Sequence, residues 1–155
     1  MRRDELAADG IWTIPGTRTK NHRQHVVPLP PLAQEIIANA PRVEGSYVFT
    51  TTGTSPISGW SKCKRALDEQ MGASVPPWRL HDLRRTCASG MQRLGVRIEV
   101  VERALNHISG SYGGVAGIYQ RDPMHEETSA AMLRWSQHVQ GLVSGKPSKV
   151  VALRP

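Results

Sequence analysis

Three observations in this sequence predict a mainly α-helical domain with a small antiparallel β-sheet near its start, an α+β fold. Two short β-branched runs, IWTIPG (11–16) and HVVPL (25–29), flank a polar, basic connection, as the strands of a hairpin do. From residue 31 onward, apolar residues recur at helical spacing in segments separated by glycine and proline. At 155 residues the chain is long enough to bury one core of its own, and no internal repeat divides it.

The elements follow in order. MRRDELAADG is polar, has no apolar face, and reads as the end of something that precedes it. The first strand closes on Pro15-Gly16. The connection TRTKNHRQ then carries Lys20 and Arg23 near the hairpin tip before the second strand begins. Pro30 precedes a short helix over 31–40, and YVFT (47–50) is a small strand or extended piece. Ser58 is placed to cap a helix over 59–71, whose Trp60, Cys63, Leu67 and Met71 fall at roughly helical spacing. Pro76-Pro77 breaks the chain. A helix over 80–94 follows, with Leu80, Leu83, Cys87 and Met91 as its apolar stripe and Gly95 as its stop. Further helices are predicted over 97–106 and 115–120. The longest spans 124–143, with Ala131, Leu133, Trp135, Val139 and Leu142 supplying apolar contacts. Residues 146–155 form a tail.

Composition bounds the function. The net charge of +7 comes from 20 basic and 13 acidic residues. The excess is spread along the chain: five basic against three acidic residues in 1–30, eight against five in 31–95, and seven against five thereafter. Such a balance suits a polyanionic partner, although a solvated basic surface would look the same. No apolar run approaches the ~20 residues of a membrane helix, and no secretory leader opens the chain. Cys63 and Cys87 lie in helical sequence without a CxxC spacing, which predicts small buried thiols in a reduced, cytoplasmic protein.

HDLRRT (81–86) places His81 and Arg84 three apart, on one face of a helix. A guanidinium and an imidazole facing the same way can hold one phosphate, yet the spacing alone fits a capping or surface role equally well. LNHISGSYGGVAGIYQR (105–121) adds His107 and two of the three tyrosines, Tyr112 and Tyr119. Taken singly, Lys20 is a solvated turn lysine, His107 a helix-end histidine and Tyr119 a packed phenol. His22 and His25 read as hairpin-surface histidines, since no cysteine or carboxylate completes a metal site with them. The glycines at 110, 113, 114 and 117 do not make a nucleotide-binding loop.

In order, TKNHRQHVVPL (19–29), LHDLRRT (80–86), LNHISGS (105–111) and GVAGIYQR (114–121) make the chain resemble the tyrosine recombinases, the phage and prophage integrase family. The resemblance covers nearly the whole chain. The resemblance implies a tyrosine recombinase catalytic-domain fold over 1–145 and site-specific DNA recombination through a 3′-phosphotyrosyl intermediate, with no cofactor. It implies Tyr119 as nucleophile, Arg84 and His107 on the non-bridging phosphate oxygens, His81 assisting proton transfer, and Lys20 protonating the departing 5′-oxygen. Arg18, Arg23, Arg85 and Arg103 are candidate contacts to the DNA backbone. Double-stranded DNA is the implied partner, with self-association as a tetramer on DNA for the full-length protein. Tyr112 is expected to be a bystander in the loop.

One part of the pattern departs. The family carries another arginine in an RxxE box before the hairpin. Arg2 and Glu5 have that spacing, but Lys20 follows Arg2 by only 18 positions, fewer than the family normally uses, because the rest of a helix and a turn must intervene before the first strand. MRRDELAADGIW matches instead the linker just before the first strand. The expectation is therefore a partial catalytic domain lacking its N-terminal portion and the first catalytic arginine. The alternative is a non-catalytic DNA-binding remnant.

Overall fold

The computed structural model describes residues 1–107 and 123–145. The helix expected over 115–120, both loop tyrosines and the tail 146–155 lie outside the described residues.

A two-stranded antiparallel sheet, β1 (Ile11–Ile14) and β2 (His25–Pro28), opens the fold. Its register pairs Ile11 with Pro28, Trp12 with Val27, Thr13 with Val26 and Ile14 with His25. Helices α1 (Pro31–Ala38), α2 (Trp60–Met71), α3 (Leu80–Arg93), α4 (Ile98–Ala104) and α5 (Pro123–Ser144) follow. The α+β expectation therefore agrees with the described residues.

The N-terminal residues are built into this sheet rather than standing apart from it. Arg3–Glu5 form a 3-10 turn, Arg2 bridges to Tyr47, and Leu6 bridges to Trp12. YVFT is thus an extended piece tied to the start of the chain, with the Val48 N–H donating to the Met1 carbonyl at 3.2 Å. Val48, only 2% exposed, anchors this end.

The core sits where α5 packs on α3, α4, α1 and β2. Met91 of α3, Val100 and Val101 of α4, and Ala131 of α5 are its buried apolar members. On α5 the inward face repeats as Thr128, Ala131, Trp135, Ser136 and Val139, the 3.6-residue period of a helix seated on other helices. Gly90 makes this packing possible: a Cβ there would lie 2.1 Å from Cζ3 of Trp135, so α3 and α5 approach at a point where only hydrogen fits.

Several positions differ from expectation. Leu133 of α5 is exposed because it projects away from that row, whereas Leu142 falls on the row's own side but in the last, exposed turn of the helix. Leu80 and Leu83 also face outward, so the buried stripe of α3 begins only at half-buried Cys87. On α2, Trp60, Cys63, Leu67 and Met71 are all exposed, and Cys63 is not a buried thiol. Ser58 does not cap α2. Gly59 takes that position with φ of 76°, turning the chain one residue later, and its carbonyl receives the Lys62 and Cys63 N–H groups.

Candidate functional site

The connection between β1 and β2 is an ordered turn. After Pro15 a 3-10 turn, Gly16–Arg18, carries the chain out of β1. The Thr19 hydroxyl lies 3.1 Å from the Gly16 carbonyl and 2.7 Å from that of Arg23, and the Arg23 N–H donates to Asn21 Oδ1 at 3.1 Å. Lys20 stands between these two turn-forming side chains and is itself exposed. His22 adopts a left-handed φ of 56°, which closes the turn back toward β2.

Arg18 leaves the turn on the other side and pairs with Glu5. The Glu5 carboxylate, 7% exposed, also accepts from the Arg2 main-chain N–H at 3.0 Å and the Trp12 indole N–H at 3.1 Å. Desolvation pushes its pKa upward, but donation from Arg18, Arg2 and Trp12 outweighs this and holds it at about 2. Arg2 itself faces Asp4, with Nε 3.4 Å from Oδ1, and its guanidinium lies 6.0 Å from the centre of the Tyr47 ring.

Helix α3 supplies the second component. Asp82 accepts the Arg79 N–H at 2.9 Å, an acidic cap on the first turn where the helix dipole favours negative charge. His81 is exposed at this end, and Arg84 follows one turn later on the same face, partly buried. Arg84 donates from Nη2 to the main-chain carbonyl of Leu105. Burial pushes the neighbouring Cys87 thiol up, while the Arg84 charge pulls it the other way.

Helix α4 supplies the third. It ends in a Schellman motif: the His107 N–H donates to Glu102 at 2.8 Å and the Asn106 N–H to Arg103 at 3.0 Å, with Asn106 left-handed at φ 53°. The same motif ends α3, where Gly95 takes the left-handed position with φ of 79°. His107 thus leaves α4 in a fixed direction and is exposed.

Two side-chain hydrogen bonds draw these components together around the end of α4. Arg84 donates to the Leu105 carbonyl and Asn21 Nδ2 donates to Asn106 Oδ1 at 2.8 Å, while the His25 ring lies near the Ala104 main chain. Burial pushes the His25 imidazole below the ordinary histidine range; the nearby Ala104 main chain opposes this, and the Arg103 and Arg84 charges reinforce it. His25 is therefore not the surface histidine the sequence suggested. It is half-buried because β2 starts against α4, whereas His22 is exposed as expected.

Lys20, Arg84 and His107, read from three distant boxes, are thus carried by segments bonded to one another. His81 joins them through the first turns of α3. Tyr119 lies outside the described residues. Of the candidate DNA contacts, Arg23 and Arg103 are exposed, Arg18 is paired with Glu5, and Arg85 reaches Asp82 at 3.2 Å while remaining 73% exposed. Asn21 and Asn106 escaped sequence reasoning as functional positions. Each is flagged locally, one by a turn and one by a helix end, but their pairing across 85 residues has no local signal.

The sequence model of the phage integrase family matches residues 2–140. The chain belongs to the phage integrase family. This is the family of the tyrosine recombinases, which integrate and recombine DNA at specific sites, and DNA is therefore the partner class of this integrase-family chain. No curated protein and no solved structure matches it. Among the described residues, no helix is long and apolar enough to cross a membrane, and no three His, Cys, Asp or Glu side chains are grouped to hold a metal.

Proposed function

We propose that this chain is the catalytic portion of a site-specific integrase that cleaves and rejoins DNA strands through a 3′-phosphotyrosyl intermediate. The Tyr119 phenol oxygen attacks the scissile phosphorus and the bond to the 5′-oxygen breaks. The phenolic proton passes to His81, and the departing 5′-oxygen takes a proton from Lys20. A phenol of pKa ~10 needs both a proton acceptor and a cationic surrounding to react near neutrality. Arg84 and His107 supply fixed donors for the charge that gathers on the non-bridging oxygens.

The observation that carries this reading is the meeting of the Lys20 turn, Arg84 and the His107 helix end through two hydrogen bonds, Asn21 to Asn106 and Arg84 to Leu105. The turn that carries Lys20 and the helix that carries Arg84 are each bonded to the segment that ends in His107. Arg84 spends one donor on Leu105, and a guanidinium has five. Arg2, engaged with Asp4 and Tyr47, is not given the role of the family's first arginine. That group would come from sequence outside these 155 residues, and full-length protein would assemble as a tetramer on DNA. Without that arginine the chain alone should react slowly, since one missing donor at such a site costs roughly hundreds-fold in rate.

The test is covalent capture on a nicked suicide DNA substrate. The chain extended through its upstream coding sequence should form a protein–DNA adduct, Tyr119→Phe should not, and Tyr112→Phe should retain it. Tight binding without any adduct would replace this reading with that of a non-catalytic DNA-binding remnant.

A further inference from the structure

We propose that Asn21 and Asn106 form a clasp that positions the Lys20 turn against the helix end delivering His107, which makes both asparagines positioning residues of the site. The inference rests on the proton-donor role given to Lys20 above.

The Asn21 amide works in two directions at once. Its oxygen accepts the Arg23 N–H and shapes the turn, while its nitrogen donates across to Asn106, in a partly buried bond. The residue next to Lys20 therefore both fixes the local backbone and ties it to a distant element. The strands pair only as far as Ile14 with His25, so the turn beyond them could pivot about that last pair. The Asn21 bond ties the turn to the end of α4 and removes the pivot. A proton donor on a flexible lysine benefits from this, because placing its Cα limits where the ammonium can reach.

The choice of Asn106 points the same way. In a Schellman ending the residue after the C-cap is left-handed, and glycine does this at no steric cost, as Gly95 does after α3. Asn106 accepts the costlier backbone and offers an amide oxygen where glycine offers nothing. An amide also suits the place chemically. A carboxylate there would set a negative charge among Lys20, Arg84 and His107 and compete with phosphate for them.

Two substitutions separate the clasp from the backbone roles of these residues. Asn106→Gly keeps the left-handed turn and removes only the side-chain bond. Asn21→Asp keeps the Arg23 acceptor, and the Asn106 amide can rotate to donate to it. The first readout is amide hydrogen exchange of the intact chain. Exchange over residues 19–23 should quicken about tenfold in Asn106→Gly, the equivalent of one lost hydrogen bond, and stay near wild type in Asn21→Asp. Exchange within α4 should not change.

The second readout uses whichever form of the chain yields the covalent adduct, at saturating DNA. Asn106→Gly should cleave ordinary DNA several-fold to about tenfold more slowly. It should match wild type within about twofold on DNA whose scissile 5′-oxygen is replaced by sulfur, which departs without a proton. Unchanged exchange over 19–23, or a cleavage defect that persists with the sulfur substrate, overturns the proposal. A Lys20→Ala variant equally slow on both substrates would instead remove the proton-donor role, and the exchange result would still decide whether the clasp holds the turn.

Discussion

Arg84 donates to the main-chain carbonyl of Leu105, so the arginine of α3 grips the chain two residues before His107. One side chain thereby fixes its own fork and the exit of the neighbouring helix. The first prediction concerns this double duty. Arg84→Lys keeps the charge but replaces a planar fork with a point donor that cannot serve the carbonyl and a phosphate in fixed geometry. Adduct formation should fall by roughly hundreds-fold or more, as for loss of a donor aimed at developing charge. Thermal or denaturant unfolding should show a loss of about 1–3 kcal/mol, the range for a charged hydrogen bond left unmade. Retained adduct formation in Arg84→Lys would show that the grip on Leu105 is the main role.

Glu5 gives a second prediction, on stability. Its carboxylate is held at about 2, below the ordinary 4.5, by Arg18, the Arg2 main chain and Trp12 against the cost of burial. A depressed carboxylate pKa contributes stability that is present above the unfolded value and lost as pH falls through the folded one. Wild-type stability should therefore decline between about pH 4.5 and 2, and Glu5→Gln should lower stability at pH 7 while flattening that decline. Because Arg18 is partly exposed, the loss at pH 7 should be modest, about 1–2 kcal/mol. Denaturant unfolding at a series of pH values checks both parts, and an unaltered acid profile in the variant would show that Glu5 does not carry the effect.

How legible the fold and site were in the sequence depended on the range of each signal. The hairpin, α3 and α5 announce themselves through period and punctuation, which are local. Val48, buried against the N-terminal residues, could not be placed that way, because its partner is Met1 and nothing in YVFT indicates which end of the chain pairs with it. Leu83 was misplaced for the opposite reason: helical spacing shows that residues share a face, not that the face is covered. The site divides along the same line. Lys20, His81, Arg84 and His107 are proposed from their order along the chain. Asn21, Asn106 and the burial of His25 depend on how the hairpin lies against α4, which is a tertiary fact.

His25 carries the third prediction. Its pKa is lowered chiefly by burial, so the folded state prefers the neutral ring. Above the ordinary histidine value both states are neutral and the stability is fully present. As pH falls through that value and then through the folded pKa, the unfolded chain binds the proton first and stability is lost. The Met1 amino group, also lowered, changes in the same sense over part of this range, so the comparison must be between variants. Wild type should lose more stability than His25→Gln between pH 7.5 and 5. The difference between their unfolding curves across that interval is the measurement, and parallel curves would place the imidazole in solvent.

The last prediction separates the four arginines proposed to touch DNA. Each phosphate contact releases counterions, so its removal should reduce the slope of log affinity against log salt by about one. Arg23 and Arg103 are exposed, and Arg23→Ala and Arg103→Ala should each show that loss without a change in melting temperature. Arg85 reaches Asp82, but a pair so open to solvent is worth little, and the side chain can turn to a phosphate at small cost. Arg85→Ala should therefore behave like the first two. Arg18 is held by a nearly buried carboxylate, and releasing it to DNA would leave Glu5 without its counter-charge. Arg18→Ala should lower the melting temperature while leaving the salt slope unchanged. Fluorescence anisotropy with duplex DNA at several salt concentrations, beside thermal melts of the same variants, tests all four. A slope reduced by Arg18→Ala as much as by Arg23→Ala would mean that DNA draws Arg18 away from Glu5.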